Sequence, residues 1–467
     1  MSTSSLDIGE RDPYANDGAS NAMPDTGRPG RRVFIETYGC QMNLADSELM
    51  GGVLSMKGYT SAGSLEDADV ILINTCAVRE KAEERVFGRL SHLLRFKHRN
   101  PDLILGVAGC MAEHLRDDIV ERAPYVDLVV GPDAYRRLPD LIEEAQGEEV
   151  DPLIDVKLDR RENYEGIAVE RQPGVNAWIS VQRGCDKFCT FCIVPFTRGR
   201  ERGVAMGEVV RQARECAEAG YREITLLGQT VNSYRWEGHD FADLLEELVG
   251  VDGIERIRFT SPYPTDFTPK LIETMARYDA ISNYIHLPAQ SGSDRMLEAM
   301  RRQYTRSEYD ALVDDIRKAI PDIALSTDII VGYPGESDED FQATVELLET
   351  TRFDFAYLFK YSERSNTYAA RNVPDDVDEE IKGARLKQII ALQEDICAEI
   401  FADRVGHTCE VLVDGESRRD SDQWCGRTDD YKMTVFPKVE GRDVAPGDLV
   451  QVVVEDATSH TLLGRMV

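Results

Sequence analysis

The run Gly184-Cys185-Asp186-Lys187-Phe188-Cys189-Thr190-Phe191-Cys192 decides how this chain is read. It offers three thiols spaced Cys-x-x-x-Cys-x-x-Cys within eight residues. Iron-sulfur clusters are usually held by four thiolates, so a three-cysteine loop leaves one iron open to a substrate or cofactor. Such a cluster is a reagent rather than an electron wire. Zinc is the alternative ligand for a cysteine loop, but zinc sites usually combine two short Cys or His elements, and no second element follows Cys192.

The loop follows a strand-like segment, and the sequence from 173 to 400 continues with the same alternation. Strands are expected at Trp178 to Val181, Ile224 to Leu227, Ile257 to Thr260, Tyr284 to Leu287, Leu325 to Val331 and Phe355 to Phe359. Helical connections such as Gly207 to Ala219 and Arg306 to Ile320 make these right-handed βα units, and six of them form an open partial barrel. Polar or glycine-rich loops follow successive strands, including Gly228 to Tyr234, Pro288 to Ser293 and Gly332 to Glu336. Loops at the carboxyl ends of parallel strands share one rim, where small molecules bind. The cysteine spacing and its position after a strand resemble the radical S-adenosylmethionine (SAM) enzymes, in which the open iron chelates SAM.

Upstream, residues 31–148 alternate short apolar strands with helices, the pattern of an open parallel sheet. Strands are expected at Val33 to Thr37, Val70 to Asn74, Leu103 to Val107 and Val126 to Val130; Cys40, Cys76 and Cys110 follow the first three. Ligands of such sheets bind beyond the carboxyl ends of the strands, so these three cysteines are expected to form a second cluster site rather than three separate buried thiols. Gly39 and Gly109 precede two of them as though the backbone passed close to a bulky ligand. Residues 1–30 read as a disordered leader and 149–172 as a charged linker.

The tail, 401–467, breaks into short β runs, Cys409 to Val413, Met433 to Phe436 and Leu449 to Val454, as in a small β-barrel. Arg418, Arg419, Arg427, Lys432 and Lys438, with Trp424 or Tyr431 as a stacking surface, are candidate RNA contacts. A packing domain is the other reading. The formal charge of -31 keeps a chain soluble at high ionic strength without forbidding a local nucleic-acid surface. Ten cysteines, without a stretch resembling a signal segment or a bilayer span, point to a reducing cytoplasm and to no membrane partner.

Residues 31–467 as a whole resemble the methylthiotransferases of the radical SAM class. The matching motifs are Thr37-Tyr38-Gly39-Cys40-Gln41-Met42-Asn43, Asn74-Thr75-Cys76-Ala77-Val78-Arg79, Gly109-Cys110-Met111-Ala112 and Cys192-Ile193-Val194-Pro195-Phe196-Thr197-Arg198-Gly199. The resemblance implies an α/β chain: an N-terminal open-sheet auxiliary-cluster domain, a radical SAM partial (β/α)6 barrel and a C-terminal TRAM barrel that contacts tRNA. It implies two 4Fe-4S clusters, one on Cys185, Cys189 and Cys192 and an auxiliary one on Cys40, Cys76 and Cys110. One SAM methylates a sulfur on the auxiliary cluster, and a second yields the radical that takes hydrogen from carbon 2 of an adenine beside the anticodon. Gln41-Met42 resembles the branch acting on tRNA carrying N6-dimethylallyladenosine. Branches acting on threonylcarbamoyl-adenosine or on a ribosomal protein are the alternatives, and a noncatalytic iron-sulfur RNA-binding protein is the rival of another class.

No side chain is assigned as a catalytic acid or base. Phe191, Gln229, Gln290 and Asp328 are candidate SAM contacts, with local turn-capping the competing role for the polar ones. His286 either orients substrate or is a hydrogen-bonded core histidine. Cys216, Cys397, Cys409 and Cys425 are expected to be plain thiols. A low-potential electron donor is an expected partner, and the chain is expected to act as a monomer. Gly203-Val204 departs from the family pattern, which has Ser-Arg after the Arg198 to Glu201 segment.

Overall fold

The computed structural model describes residues 30–77, 80–146 and 151–467. The leader assigned to 1–30 falls, but for Gly30, outside the described residues, as do Val78 and Arg79 of the second cysteine motif. The chain divides into two units, one running to Gln172 and including Phe196–Gly199, the other comprising Pro173–Pro195 and Arg200–Val467.

The N-terminal unit is built on six strands: β1 (Arg32–Tyr38), β2 (Thr60–Ser61), β3 (Val70–Thr75), β4 (Ile104–Gly109), β5 (Leu128–Val130) and β6 (Leu153–Asp155). They pair in parallel in the order β2-β1-β3-β4-β5-β6. β3 and β4 are buried at every position, because helices cover both faces of a parallel sheet. On one face Met50, Leu54, Leu72 and Leu128 join a core with Tyr135; on the other Ile71, Ile73 and Leu105 pack with Leu90 and Leu93. Three helices position the cysteines or cover the sheet: α1 (Gln41–Ser55), α2 (Glu80–Arg99) and α3 (Cys110–Leu115).

The stretch read as a solvated linker is part of this unit. It supplies β6, which the sequence masked because an edge strand of three residues shows no periodicity. Tyr164 and Ile167 are core residues, and the Tyr164 hydroxyl donates to Pro132 O at 2.7 Å. Two of its charges form ion pairs, Glu162 with Arg136 and Asp155 with Arg137.

Glu48 on α1 is buried, accepts only a 3.4 Å bond from Gln172 N, and is pushed up to about 7 by burial, against the pull of Arg171. A carboxyl raised in the folded state costs stability once the pH passes its unfolded value, and the cost is complete above the folded value. Glu48→Gln is therefore expected to raise Tm by a few degrees at pH 8, with the gain shrinking to nothing by about pH 4.5. Thermal melts of the two proteins across that range check it.

In the second unit the strands are β7 (Asn176–Ser180), β8 (Glu223–Leu227), β9 (Arg256–Phe259), β10 (Tyr284–His286), β11 (Ala324–Val331) and β12 (Phe355–Lys360). β8 lies between β7 and β9, and β11 between β10 and β12, all parallel. A single bridge, Ile257 to Ile281, joins the two ladders. The partial barrel is thus an arc with one weak seam. Its helices include α4 (Met206–Glu218), α5 (Arg306–Ala319), capped by Thr305 and Glu308 in a reciprocal box, and α6 (Asp338–Thr351), capped by Ser337 and Asp340 in the same way. The long α7 (Glu379–Ala402) leads to the tail.

The tail is a closed barrel of β13 (Thr408–Ser417), β14 (Asp420–Thr428), β15 (Met433–Pro437), β16 (Leu449–Ala457) and β17 (Leu462–Met466), ordered β13-β14-β15-β17-β16. Two residues read as RNA contacts, Lys432 and Tyr431, instead meet the arc. Lys432 is fully buried, and its Nζ donates to Asp354 Oδ1 at 2.6 Å and Asp430 Oδ2 at 2.9 Å. Tyr431 stacks on Tyr284 with ring centroids 4.5 Å apart, and Arg258 donates to Thr428 O and Asp429 O, both at 2.9 Å. Arg427 lies over the Tyr431 ring, 3.8 Å from Asp414. Arg418 and Arg419 are exposed, and Lys438 reaches over the Trp424 ring to Glu416. Among the described residues no helix is long and apolar enough to cross a membrane.

Candidate metal centres

Register brings the first three cysteines to one sheet edge. Tyr38 pairs with Thr75 and Thr75 with Gly109, so the last rung of β1, β3 and β4 is common to all three. Cys40, Cys76 and Cys110 follow that rung within two residues. Cys40 caps α1 and Cys110 opens α3, placing their sulfurs by helix N-termini that favour negative charge. The contacts between the three segments are polar and buried. Asn74 Nδ2 donates to Asn43 O at 2.7 Å and Ser47 Oγ at 2.8 Å, and Asn43 Nδ2 donates to Asn74 Oδ1 at 3.2 Å.

Packing within the N-terminal unit by itself requires both glycines. Gly109 has φ +93°, and a Cβ there would overlap Asn74 Oδ1 and stand 2.6 Å from Thr75 O. At Gly39 a Cβ would lie 2.7 Å from Asn43 Oδ1 and 2.9 Å from Cys76 Cβ. The close neighbours are the adjoining cysteine segments.

Arg198 is buried against this centre, its Nε donating to Cys110 Sγ at 3.1 Å and an Nη to Asp46 Oδ2 at 2.7 Å. Cys40 keeps an exposed edge, yet the protein around its sulfur and the nearby charge of Cys76 push its thiol up to about 11, against the pull of Arg198.

The second set of cysteines stands beyond β7. Gly184 N donates to Gln229 Oε1 at 2.5 Å, and Thr190 is pinned by bonds to Ala299 O at 3.1 Å and the Tyr333 hydroxyl at 2.8 Å. Lys187 ties the loop to Asp266 at 2.6 Å. Arg302 donates to Cys189 Sγ at 3.4 Å while its other nitrogens hold Pro288 O at 2.9 Å and the Tyr304 hydroxyl at 2.8 Å. Burial first, and the neighbouring thiols second, push Cys192 up to about 12; burial does the same to Cys185, to about 11. Metal loading must therefore expel protons from both centres.

Among the described residues no three His, Cys, Asp or Glu side chains stand where they would share a single metal ion. A tetrahedral zinc would hold sulfurs about 3.8 Å apart, given Zn–S bonds of about 2.3 Å. A four-iron cube spreads its thiolates across the width of the cluster. Two groups of three thiols, each with a guanidinium on one sulfur, fit the cluster better than the ion.

The sequence matches three family descriptions in order: "Uncharacterized protein family UPF0004" over 32–131, "Radical SAM superfamily" over 179–348 and "TRAM domain" over 403–467. It is 46% identical to the tRNA-2-methylthio-N(6)-dimethylallyladenosine synthase of Chloroherpeton thalassium, covering 93% of this chain and 96% of that protein. It is 48% identical to the synthase of that name from Chlorobium luteolum, over 93% and 97% of the two chains. The chain belongs to this synthase family.

It is a radical SAM enzyme, and its fold is shared with more distant members of the class. The radical SAM methyltransferase TsrM from Kitasatospora setae superposes with a TM-score of 0.54 at 13% identity, over 70% of this chain and 73% of that one.

Within the synthase, the four candidate SAM contacts divide by environment. Gln229 spends its side-chain oxygen on the backbone that introduces the cysteine loop. Phe191 packs against the hydrophobic cluster of Met296, Met300, Tyr333, Tyr361 and Ala369. Gln290, at φ +72°, is buried, and its backbone is spliced to β11 through Asp328 O at 2.8 Å and Ile330 N at 2.9 Å. Asp328 lies inside β11 rather than at its end, 3.4 Å from His286 Nε2, while His286 Nδ1 shares a 2.8 Å bond with Ser326 Oγ. Gln229→Ala is expected to leave the KM for SAM unchanged and to speed iron loss to a chelator severalfold, as absorbance after reconstitution will register.

The Gly203-Val204 departure has a local cause. A side chain at 203 would stand 2.7 Å from Arg235 O, and Val204 is a buried core residue of the second unit. Arg302, Arg198, Asn43 and Asn74 were not singled out from the sequence. Asn43, Asn74 and Arg198 lay inside quoted motifs, but only packing revealed their targets. Cys216 and Cys397 are buried thiols; Cys409 and Cys425 are half-buried in the barrel.

Proposed function

We propose that this chain transfers a methylthio group to carbon 2 of N6-dimethylallyladenosine beside the anticodon of tRNA, using one 4Fe-4S cluster on Cys185, Cys189 and Cys192 and a second on Cys40, Cys76 and Cys110. The observation that carries the reading is the pair of cysteine centres, each at the carboxyl end of a parallel sheet, in a chain related end to end to synthases of that name. When bound, the clusters and SAM supply the sulfur, the methyl group and the hydrogen-abstracting radical that side-chain acids and bases cannot.

The protein's own task is orientation and exclusion of water. Arg302, fixed by Pro288, Tyr304 and the Tyr263 ring, sets the direction of Cys189. Asn43 and Asn74 tie together the backbones that carry Cys40 and Cys76, and the pairing of β3 with β4 brings Cys110 alongside. In the barrel, Arg418, Arg419 and Lys438 beside Trp424 are the groups available to phosphate and base. Electron supply by a low-potential donor, action as a monomer and residence in a reducing cytoplasm belong to the same proposal.

The test is mass spectrometry of tRNA nucleosides after anaerobic incubation of reconstituted protein with SAM, reductant and tRNA bearing dimethylallyl-adenosine. Methylthiolated nucleoside is expected from the wild type and none from Cys76→Ala, which should still cleave SAM. Cleaved SAM without modified tRNA would move the substrate to threonylcarbamoyl-adenosine or a protein. Absence of SAM cleavage from fully loaded protein would overturn the enzymatic reading.

A further inference from the structure

Arg198 presents a physical oddity. It is 3% exposed, and burying a guanidinium is costly unless its donors meet good acceptors. One nitrogen meets Asp46, itself fully buried, at 2.7 Å; Nε points instead at the sulfur of Cys110, 3.1 Å away. A neutral thiol is a weak acceptor and a poor reason to bury a charge. A thiolate, or a cysteine sulfur carrying cluster charge, is a good one. Arginine suits the place because its planar fork can serve a carboxylate and a sulfur at once, which lysine's point charge cannot. Both partners lie in the N-terminal unit, to which Phe196–Gly199 belongs.

We propose that Arg198, clamped by Asp46, is a positioning residue of the auxiliary centre that holds the Cys110 sulfur and raises the reduction potential of the cluster bound there. The proposal rests on the reading that Cys40, Cys76 and Cys110 hold an iron-sulfur cluster. Its sign follows from charge. A cluster gains negative charge on reduction, and a fixed cation with a hydrogen bond to one of its sulfurs favours that state. Asp46 accepts from the neighbouring nitrogen of the same guanidinium, and its negative charge opposes the effect. Removing the two groups should therefore move the potential in opposite directions.

The test uses the full chain with Cys185, Cys189 and Cys192 replaced by alanine, loaded anaerobically with iron and sulfide, so that the auxiliary cluster alone is followed by EPR during redox titration. The parent should bind about four irons per chain. Arg198→Gln should make reduction at least tenfold less favourable, about 59 mV for one electron. Asp46→Asn should make it more favourable. The charge-free pair Asp46→Asn/Arg198→Gln should fall between the parent and Arg198→Gln, and if Arg198→Gln does not fold, this pair against Asp46→Asn carries the same contrast. A common loss of iron with an unchanged potential in the loaded fraction would make the arginine merely structural and overturn the proposal. A parent that binds no iron would instead overturn the auxiliary-cluster reading, and the proposal with it.

Discussion

An alanine at position 109 will cost the protein its auxiliary centre while leaving the Cys185 loop intact. Gly109 sits at φ +93° and ψ -162°, a region that residues with a Cβ essentially do not occupy. The added methyl would overlap Asn74 Oδ1 and press on Thr75 O. Asn74 has no room to yield, because its amide is committed to Asn43 O and Ser47 Oγ. Relief must come from the turn into α3, which displaces Cys110 from the rung it shares with the Cys76 segment. Strain at such a position costs roughly 1–3 kcal/mol. The measurable consequence is a fall in bound iron to about half, with methylthiolated nucleoside reduced more than tenfold and SAM cleavage kept. Gly88→Ala on the exposed face of α2, where a Cβ meets nothing within 4 Å, is the control and should be neutral or slightly stabilising.

Lys432→Met should destabilise the second unit by about 3–5 kcal/mol, the range for removing one partner of a buried ion pair. Lys432 is fully buried between two carboxylates, and Asp354 is further committed to Leu325 N at 2.9 Å. Methionine fills the space but leaves Asp354 and Asp430 without their shared cation, although Asp430 retains Arg404. Denaturant titration of the wild type and the variant measures the loss. Adding Asp354→Asn should recover part of it, because the second variant removes one stranded charge; strict additivity of the two changes would contradict the pairing. A residue read from sequence as a phosphate contact is then a fastener of the barrel.

The legible part of the chain was the part whose signal is local. Strands buried on both faces announce themselves as apolar runs, so β3, β4 and β11 were placed within a residue or two of their ends. β6 was not, because three residues at a sheet edge, none of them buried, carry no period and their acidic neighbours resemble a linker. β14 and β17 were missed as well: β14 is rich in Asp and Ser, β17 is five residues long, and neither shows the alternation that marks a half-buried strand.

The same division runs through the centres. The identity and grouping of the six cysteines followed from their spacing and from their place after strands. The surrounding polar residues did not, since Arg, Asn and Gln are common in loops and their roles depend on what packs opposite them. Gln229, a candidate SAM contact with capping as its competing role, accepts from Gly184 N; Arg198 was only a motif letter and meets Cys110.

By itself the sequence determined which thiols are grouped and which parallel strands present them, because cysteine spacing and hydrophobic period are properties of the chain. Only the tertiary structure decided which guanidinium meets which sulfur, which glycine is sterically obligatory and which charges vanish into the barrel seam. Those outcomes are set by distances between residues remote in sequence, where burial makes every unmet polar group costly.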